Sequence, residues 1–402
     1  MTDALGDLTV LDLSHALAGP FASTMLADFG ADVIKIEPPG TGDIARGWGP
    51  PFYGSESSYF LSLNRNKRSV EIDLKHEQGR ELFFALLDRA DVVLENLRIG
   101  TVKKLGIDYE AVRARAPRII YCSISGFGQD GPYHNRAALD LVVQAESGMI
   151  SVTGEAGGRG VRGGVSIADI TAGLYAAFGI MTALHARQHT GEGQFIDISM
   201  LEGQVGLLHG AIGSYLADGV MPKPMGTAYA ALVPYQTFRT KTRDLALGIG
   251  SDKLWRLVCR LMNLDELVDD ARYATNAARV TNRESLLERM QQVFLTKTYE
   301  EWEAILVPAG IPTGAINTIE ALVNHPQVKA RRALVECEHP IAGPVTVVAP
   351  PVRLARTPGA VRSAAPLLGQ HTDSVLRERL GLDEQALARL RTSGAIGPKH
   401  EG

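Results

Sequence analysis

LTVLDLSHALAGPFASTMLADFGADVIKIE, residues 8–37, is a strand, a helix and a second strand in succession. β-branched and leucine side chains crowd LTVLDLS and ADVIKIE. GPFASTMLADFG between them spaces its apolar residues for a helix that stops at Gly30. The pattern repeats outward: SVEIDL is a strand, EQGRELFFALLDRA a helix, DVVLEN a strand, and RIIYCSIS follows another helical piece. Such repetition predicts a doubly wound α/β fold, a Rossmann-like parallel sheet with helices on both faces. Ligands of these sheets bind at the carboxyl ends of strands, which directs attention to residues 15–20, 37–46, 95–100 and 125–136.

Farther along, ISVTGEAGGRGVRGG (150–164) reads as a glycine-rich mobile loop. SIADITAGLYAAFGIMTALHARQ reads as a long, buried core helix, and GQFIDISMLEGQVGLL as a strand and helix. Pro222, Pro224 and Pro234 mark 219–234 as a linker. From 235 to 324 two strand-like runs precede three helices, a smaller α+β domain. Residues 1–218 and 325–402 then form the large domain.

With 402 residues and 45% of them apolar, the chain is long enough for two packed lobes. A formal charge of −4 argues against nucleic acid as a partner, and Cys122, Cys259 and Cys337 form no metal pattern and suit a reducing compartment. Asp3 and Asp7 near the N-terminus do not resemble a targeting peptide. A cytoplasmic protein acting on small molecules, with no metal, membrane or permanently bound cofactor, is expected.

Asp169 stands at the start of the long apolar helix. There a carboxylate can accept hydrogen bonds from free backbone N–H groups as a simple N-cap, or be held ionised by the helix dipole as a nucleophile. LGIGSD (247–252) places Gly248, Ile249 and Gly250 after a strand, where backbone amides can approach a ligand or simply turn the chain. Arg46, the run NRNKR (64–68), Lys75, Arg98, Lys103, Lys104 and Arg136 cluster near the expected ligand edge, as phosphate contacts or solvated side chains. His15 and Arg46 are candidate substrate contacts. His185, His209 and His371 have no metal spacing. HALAGP lacks the glycine fingerprint of dinucleotide sites.

LDLSHALAGPFASTMLADFGADVIKIEPPGTGD, NRNKRSVEIDL, VLENLRIG, SISGFGQDGPY, Asp169, HTGEGQFIDISM and PLLGQHT together resemble the class III CoA-transferases. WGPPFYGSESSYFLSLNRNK, GTAYAALVPYQTFRT and APLLGQHT resemble their succinyl-CoA:glutarate (hydroxymethylglutarate) branch. The resemblance implies an interlocked homodimer that transfers CoA between carboxylic acids through an aspartyl-CoA thioester on Asp169. It implies that Gly248–Gly250 close over the intermediates. Positions lining CoA fall on Leu17, Ala18, Ile72, Lys75, Asn96, Leu97, Arg98, Lys104 and Arg136. Succinyl-CoA would be the donor, and glutarate, itaconate, malate or a hydroxymethylglutarate-like acid the acceptor.

Two departures bear on substrate. Oxalate-using members carry Arg after the second-strand Glu, where this chain has Pro38, and a glycine run where it has GIGSD. A rival reading is an α-methylacyl-CoA racemase, but racemisation needs two bases, and those members carry His where this chain has Leu139. A nucleotide-binding oxidoreductase is the second rival.

Overall fold

The computed structural model describes residues 3–399. Two compact units divide the chain: Met1–Met149, Gly163–Leu216 and Pro326–Gly402 in the first, Ile150–Arg162 and Ala217–His325 in the second. The glycine-rich segment 150–162, expected in the large domain, thus groups with the second unit. A hydrogen bond from Gly226 N to Gly154 O (2.8 Å) ties it there.

The first unit is built on six parallel strands: β1 (Thr9–Asp12), β2 (Asp32–Glu37), β3 (Lys67–Glu71), β4 (Val92–Glu95), β5 (Ile120–Ser125) and β6 (Gln194–Ser199). Their order is β3-β2-β1-β4-β5-β6, and each neighbouring pair is parallel. This is the doubly wound arrangement. Helices α1 (Ala18–Asp28), α2 (Glu77–Leu87), α3 (Asp140–Glu146), α4 (Ile167–Thr190) and α5 (Met200–Leu207) surround it.

Alternate side chains of the strands feed two cores. Val10, Val33, Val92, Ile120 and Cys122 pack with α1 and α4 on one face. Leu11, Ile34, Val93 and Tyr121 pack with α2 and the C-terminal helices on the other. Burying each such aliphatic side chain contributes about 1.5–3 kcal/mol, so the period-two pattern fixes strand register.

The free edge of β3 is covered by the stretch containing PLLGQHT. Gly369 N donates to Ser69 Oγ (2.8 Å), His371 N to Ser69 O (2.9 Å), and Glu71 N to Thr372 Oγ1 (3.0 Å). Capping an edge this way blocks strand addition by another chain.

The second unit carries a three-stranded antiparallel sheet, β7 (Tyr235–Phe238), β8 (Leu245–Gly248) and β9 (Thr313–Ala315), with β8 central. Trp255, Val258, Met290, Phe294 and Trp302 pack beside it.

α4 departs from expectation. Ala172, Ala176 and Ile180 are buried, yet Leu174, Tyr175, Phe178 and Met181 are exposed, Phe178 to 71%. Its apolar composition feeds a core on one side only.

Candidate active site

Strands β1 and β4 lie side by side at the middle of the sheet, where the winding reverses and the chains leaving their carboxyl ends diverge. A cavity of about 460 Å³ opens there. His15, Ala16 and Ala18 line it from the β1 exit; Asn96, Leu97 and Arg98 from the β4 exit; Ser125, Gly126 and Arg136 from the β5 exit. Asp169, Trp48, Leu139 and Met200 lie on the wall as well. A smaller cavity of about 200 Å³ shares His15 and Leu97 and adds Pro38, Ile72 and Lys75.

Asp169 is the third residue of α4, not its cap, and the helix start is held by a different carboxylate. Ala168 N donates to Asp140 Oδ1 (2.9 Å), and Gln144 Nε2 donates to Asp140 Oδ2 (2.7 Å). Burial, and then the charge of Asp140, push the Asp169 carboxyl up to about 7. Desolvation and a second carboxylate thus work against the ionised form that a helix start favours. Tyr59 senses the same pair: burial and the charges of Asp169 and Asp140 push its hydroxyl to about 12. Trp48 meets Tyr59 edge-on, ring centroids 5.1 Å apart.

The predicted contacts divide into groups. His15, Ala18, Asn96, Leu97, Arg98, Arg136 and Asp169 come together on the larger cavity, Ile72 and Lys75 on the smaller. Leu17 is buried and lines neither cavity. Lys104 is exposed, one residue before the lining Leu105. Arg136 pairs with Glu146 (2.7 Å) and lies over the rings of Phe127 and Tyr133. Arg46 is committed elsewhere: Nε and Nη2 each donate to Glu37 at 2.8 Å, Nη1 to Pro366 O at 3.1 Å, and the guanidinium sits 3.8 Å from the Phe60 ring centroid.

The basic run 64–68 finds carboxylate partners within the fold. Arg65 binds Asp28, Lys67 binds Asp12, Asn64 and Pro20 O, and Arg68 binds Asp32. These are ion pairs of the fold, with Lys67 fully buried.

In the second unit Gly248 and Gly250 line a separate cavity of about 530 Å³ with Tyr235 and Thr237. Ile249 is buried in that unit's core, and its N–H is bound to Pro234 O at 3.0 Å.

Reading the residues did not single out Trp48, Tyr59 or Asp140. Asp140 opens a helix whose cap, Leu139, makes no side-chain hydrogen bond, so the usual start signal is missing. Leu139 itself lines the cavity with a side chain that cannot move a proton.

Residues 5–372 match the family described as CoA-transferase family III. Succinyl-CoA:glutarate CoA-transferase of Mus musculus is 41% identical over 397 residues, covering 99% of this chain and 91% of the relative. Succinate–glutarate CoA-transferase of Agrobacterium fabrum is 39% identical, covering 93% and 95%. A crystal structure of a CAIB/BAIF family protein from Brucella suis superposes with a TM-score of 0.84 at 37% identity, covering 94% of this chain and all of that one. The chain belongs to CoA-transferase family III and is an enzyme that transfers coenzyme A.

Proposed function

We propose that the enzyme moves CoA from succinyl-CoA to a small dicarboxylic acid, of which glutarate is the leading candidate, through a thioester on Asp169. The observation that carries this reading is a partly buried carboxyl on the wall of a cavity at the strand switch point. The relatives' names supply the substrate classes.

The steps balance without an added reagent. The Asp169 carboxylate attacks the donor thioester, giving a mixed anhydride and CoA thiolate. The thiolate attacks the Asp169 carbonyl, releasing succinate and leaving aspartyl-CoA. The acceptor carboxylate attacks that thioester, and the thiolate displaced recaptures the acceptor's acyl group, regenerating the Asp169 carboxylate. A carboxylate whose basicity is raised by burial is the stronger nucleophile, and covalent catalysis divides one exchange into easier steps.

The acceptor's distal carboxylate needs a cation when it leaves water. Arg46 is bound to Glu37, whereas Arg98 and Arg136 both lie on the cavity wall; Arg136, paired to the exposed Glu146, supplies the cation. A site built to bind that carboxylate discriminates against acids lacking it. Glutarate should therefore exceed valerate in kcat/KM by on the order of a hundredfold. Arg136→Ala should shrink the difference, mainly by raising KM for glutarate. Equal rates with the two acids would remove the dicarboxylate reading.

Self-association into the interlocked homodimer that the resemblance implies is part of the proposal. The exposed apolar side of α4 supports it.

A further inference from the structure

The turn from β1 into α1 contains Ala16 at φ 65°, a left-handed backbone that a Cβ disfavours. The two peptide units before it are gripped at every polar group. Lys35 Nζ donates to Ser14 O (2.6 Å), and His15 N donates to Asn96 Oδ1 (2.8 Å). Asn96 Nδ2 donates to His15 O (2.9 Å), and Ala16 N donates to Asp43 Oδ1 (2.9 Å). Lys35 Nζ and Asp43 Oδ2 then close the ring at 2.9 Å, both side chains without solvent exposure.

These three side chains come from β2, from the loop after β2 and from the end of β4, and they converge on two peptides. Asp43 is itself fixed by donations from its own N–H to Glu37 (2.8 Å) and from Ala45 N to its Oδ1 (2.9 Å). The corner has no slack: a Cβ on Gly19 would lie 2.2 Å from the Ser14 Cβ. Backbone held in a disfavoured region needs surroundings that over-determine it, and such positions cluster at functional sites.

We propose that Lys35, Asp43 and Asn96 form a clamp of positioning residues that holds Ala16 left-handed, so that His15, Ala16 and the start of α1 face the cavity shared with Asp169. Both ends of the Asn96 amide are used on His15, so Asn96 shapes the CoA-ester site through the backbone of its neighbour. The inference rests on this cavity being the site of transfer.

Rescue separates a clamp from a direct contact. Asn96→Ala and Asp43→Asn should each lower kcat/KM for the CoA donor about 5- to 30-fold, chiefly through KM, the range that one or two kcal/mol of lost preorganisation implies. Ala16→Gly added to either variant should restore most of that loss, because glycine takes the left-handed conformation without a steric cost. Folded clamp variants that keep the parent's kcat/KM, or losses that Ala16→Gly leaves in place, would overturn the proposal.

Hydrogen exchange on the parent enzyme needs no variant. The His15 and Ala16 amides should exchange among the slow, core-protected class despite lining a cavity, and exchange at free-loop rates would overturn the clamp. Full activity in Asp169→Ala would instead defeat the reaction assignment and leave the exchange result standing.

Discussion

Asp169 and Asp140 share one helix start, but only Asp140 receives its amide, so the two carboxyls meet different fates. Asp140 is satisfied by Ala168 N and Gln144, whereas burial and Asp140's charge hold Asp169 up at about 7. The nucleophile must be ionised, so kcat/KM should climb as pH rises through about 7. Asp140→Asn keeps an oxygen for Ala168 N while removing the charge, and should move that midpoint downward; a pH profile of donor kcat/KM reads both effects. A flat profile between pH 5 and 8 in the parent would contradict the assignment. The sign for stability is opposite. The folded protein keeps a proton that the unfolded chain releases near its ordinary value of 3.8, so stability falls as pH rises from there through about 7. Asp169→Asn should then stabilise the fold above pH 7 by on the order of 1–3 kcal/mol, read by denaturant midpoint. The sequence located this residue but not the upward shift of its carboxyl. Burial sets most of that shift, and the carboxylate that adds to it lies on another helix, so only the fold joins them.

At the scale of elements, close approach of backbones decides which glycines matter. A Cβ on Gly193 would stand 1.9 Å from Ile119 O where β6 enters the sheet, and backbone there cannot yield. Gly193→Ala should cost about 1–3 kcal/mol or more, whereas Gly213→Ala, with nothing within 4 Å, should be neutral or slightly stabilising. Urea midpoints of the two variants check this; equal midpoints would refute it. The strands of the central sheet were legible because residues buried on both faces leave β-branched runs such as VVLE and IYCSIS. LVECEH (Leu334–His339) was not read as a strand: its pairing with Gly343–Val348 makes a surface hairpin in which charged residues dilute the apolar signal. The run NRNKR looked like a phosphate site because charge is visible in a sequence and its partners Asp12, Asp28 and Asp32 are not.

For the whole molecule, α4 is the informative case. Its apolar residues go nearly all the way round, which suggested full burial, but within one chain half of that surface stays open. Exposed apolar area of this extent marks an interaction face. The enzyme should therefore sediment as a dimer at micromolar concentration, and Phe178→Glu should yield monomer with transfer greatly reduced. A monomeric parent with full activity would contradict the pairing.

The most direct test of the reaction is to incubate the enzyme with succinyl-CoA in the absence of acceptor, quench with hydroxylamine and map the modified peptide by mass. An aspartyl-CoA thioester predicts a hydroxamate at Asp169 alone, with release of succinate and CoA and no label in Asp169→Ala. Modification at another residue, or unmodified enzyme that still transfers CoA at the parent rate, would contradict the account.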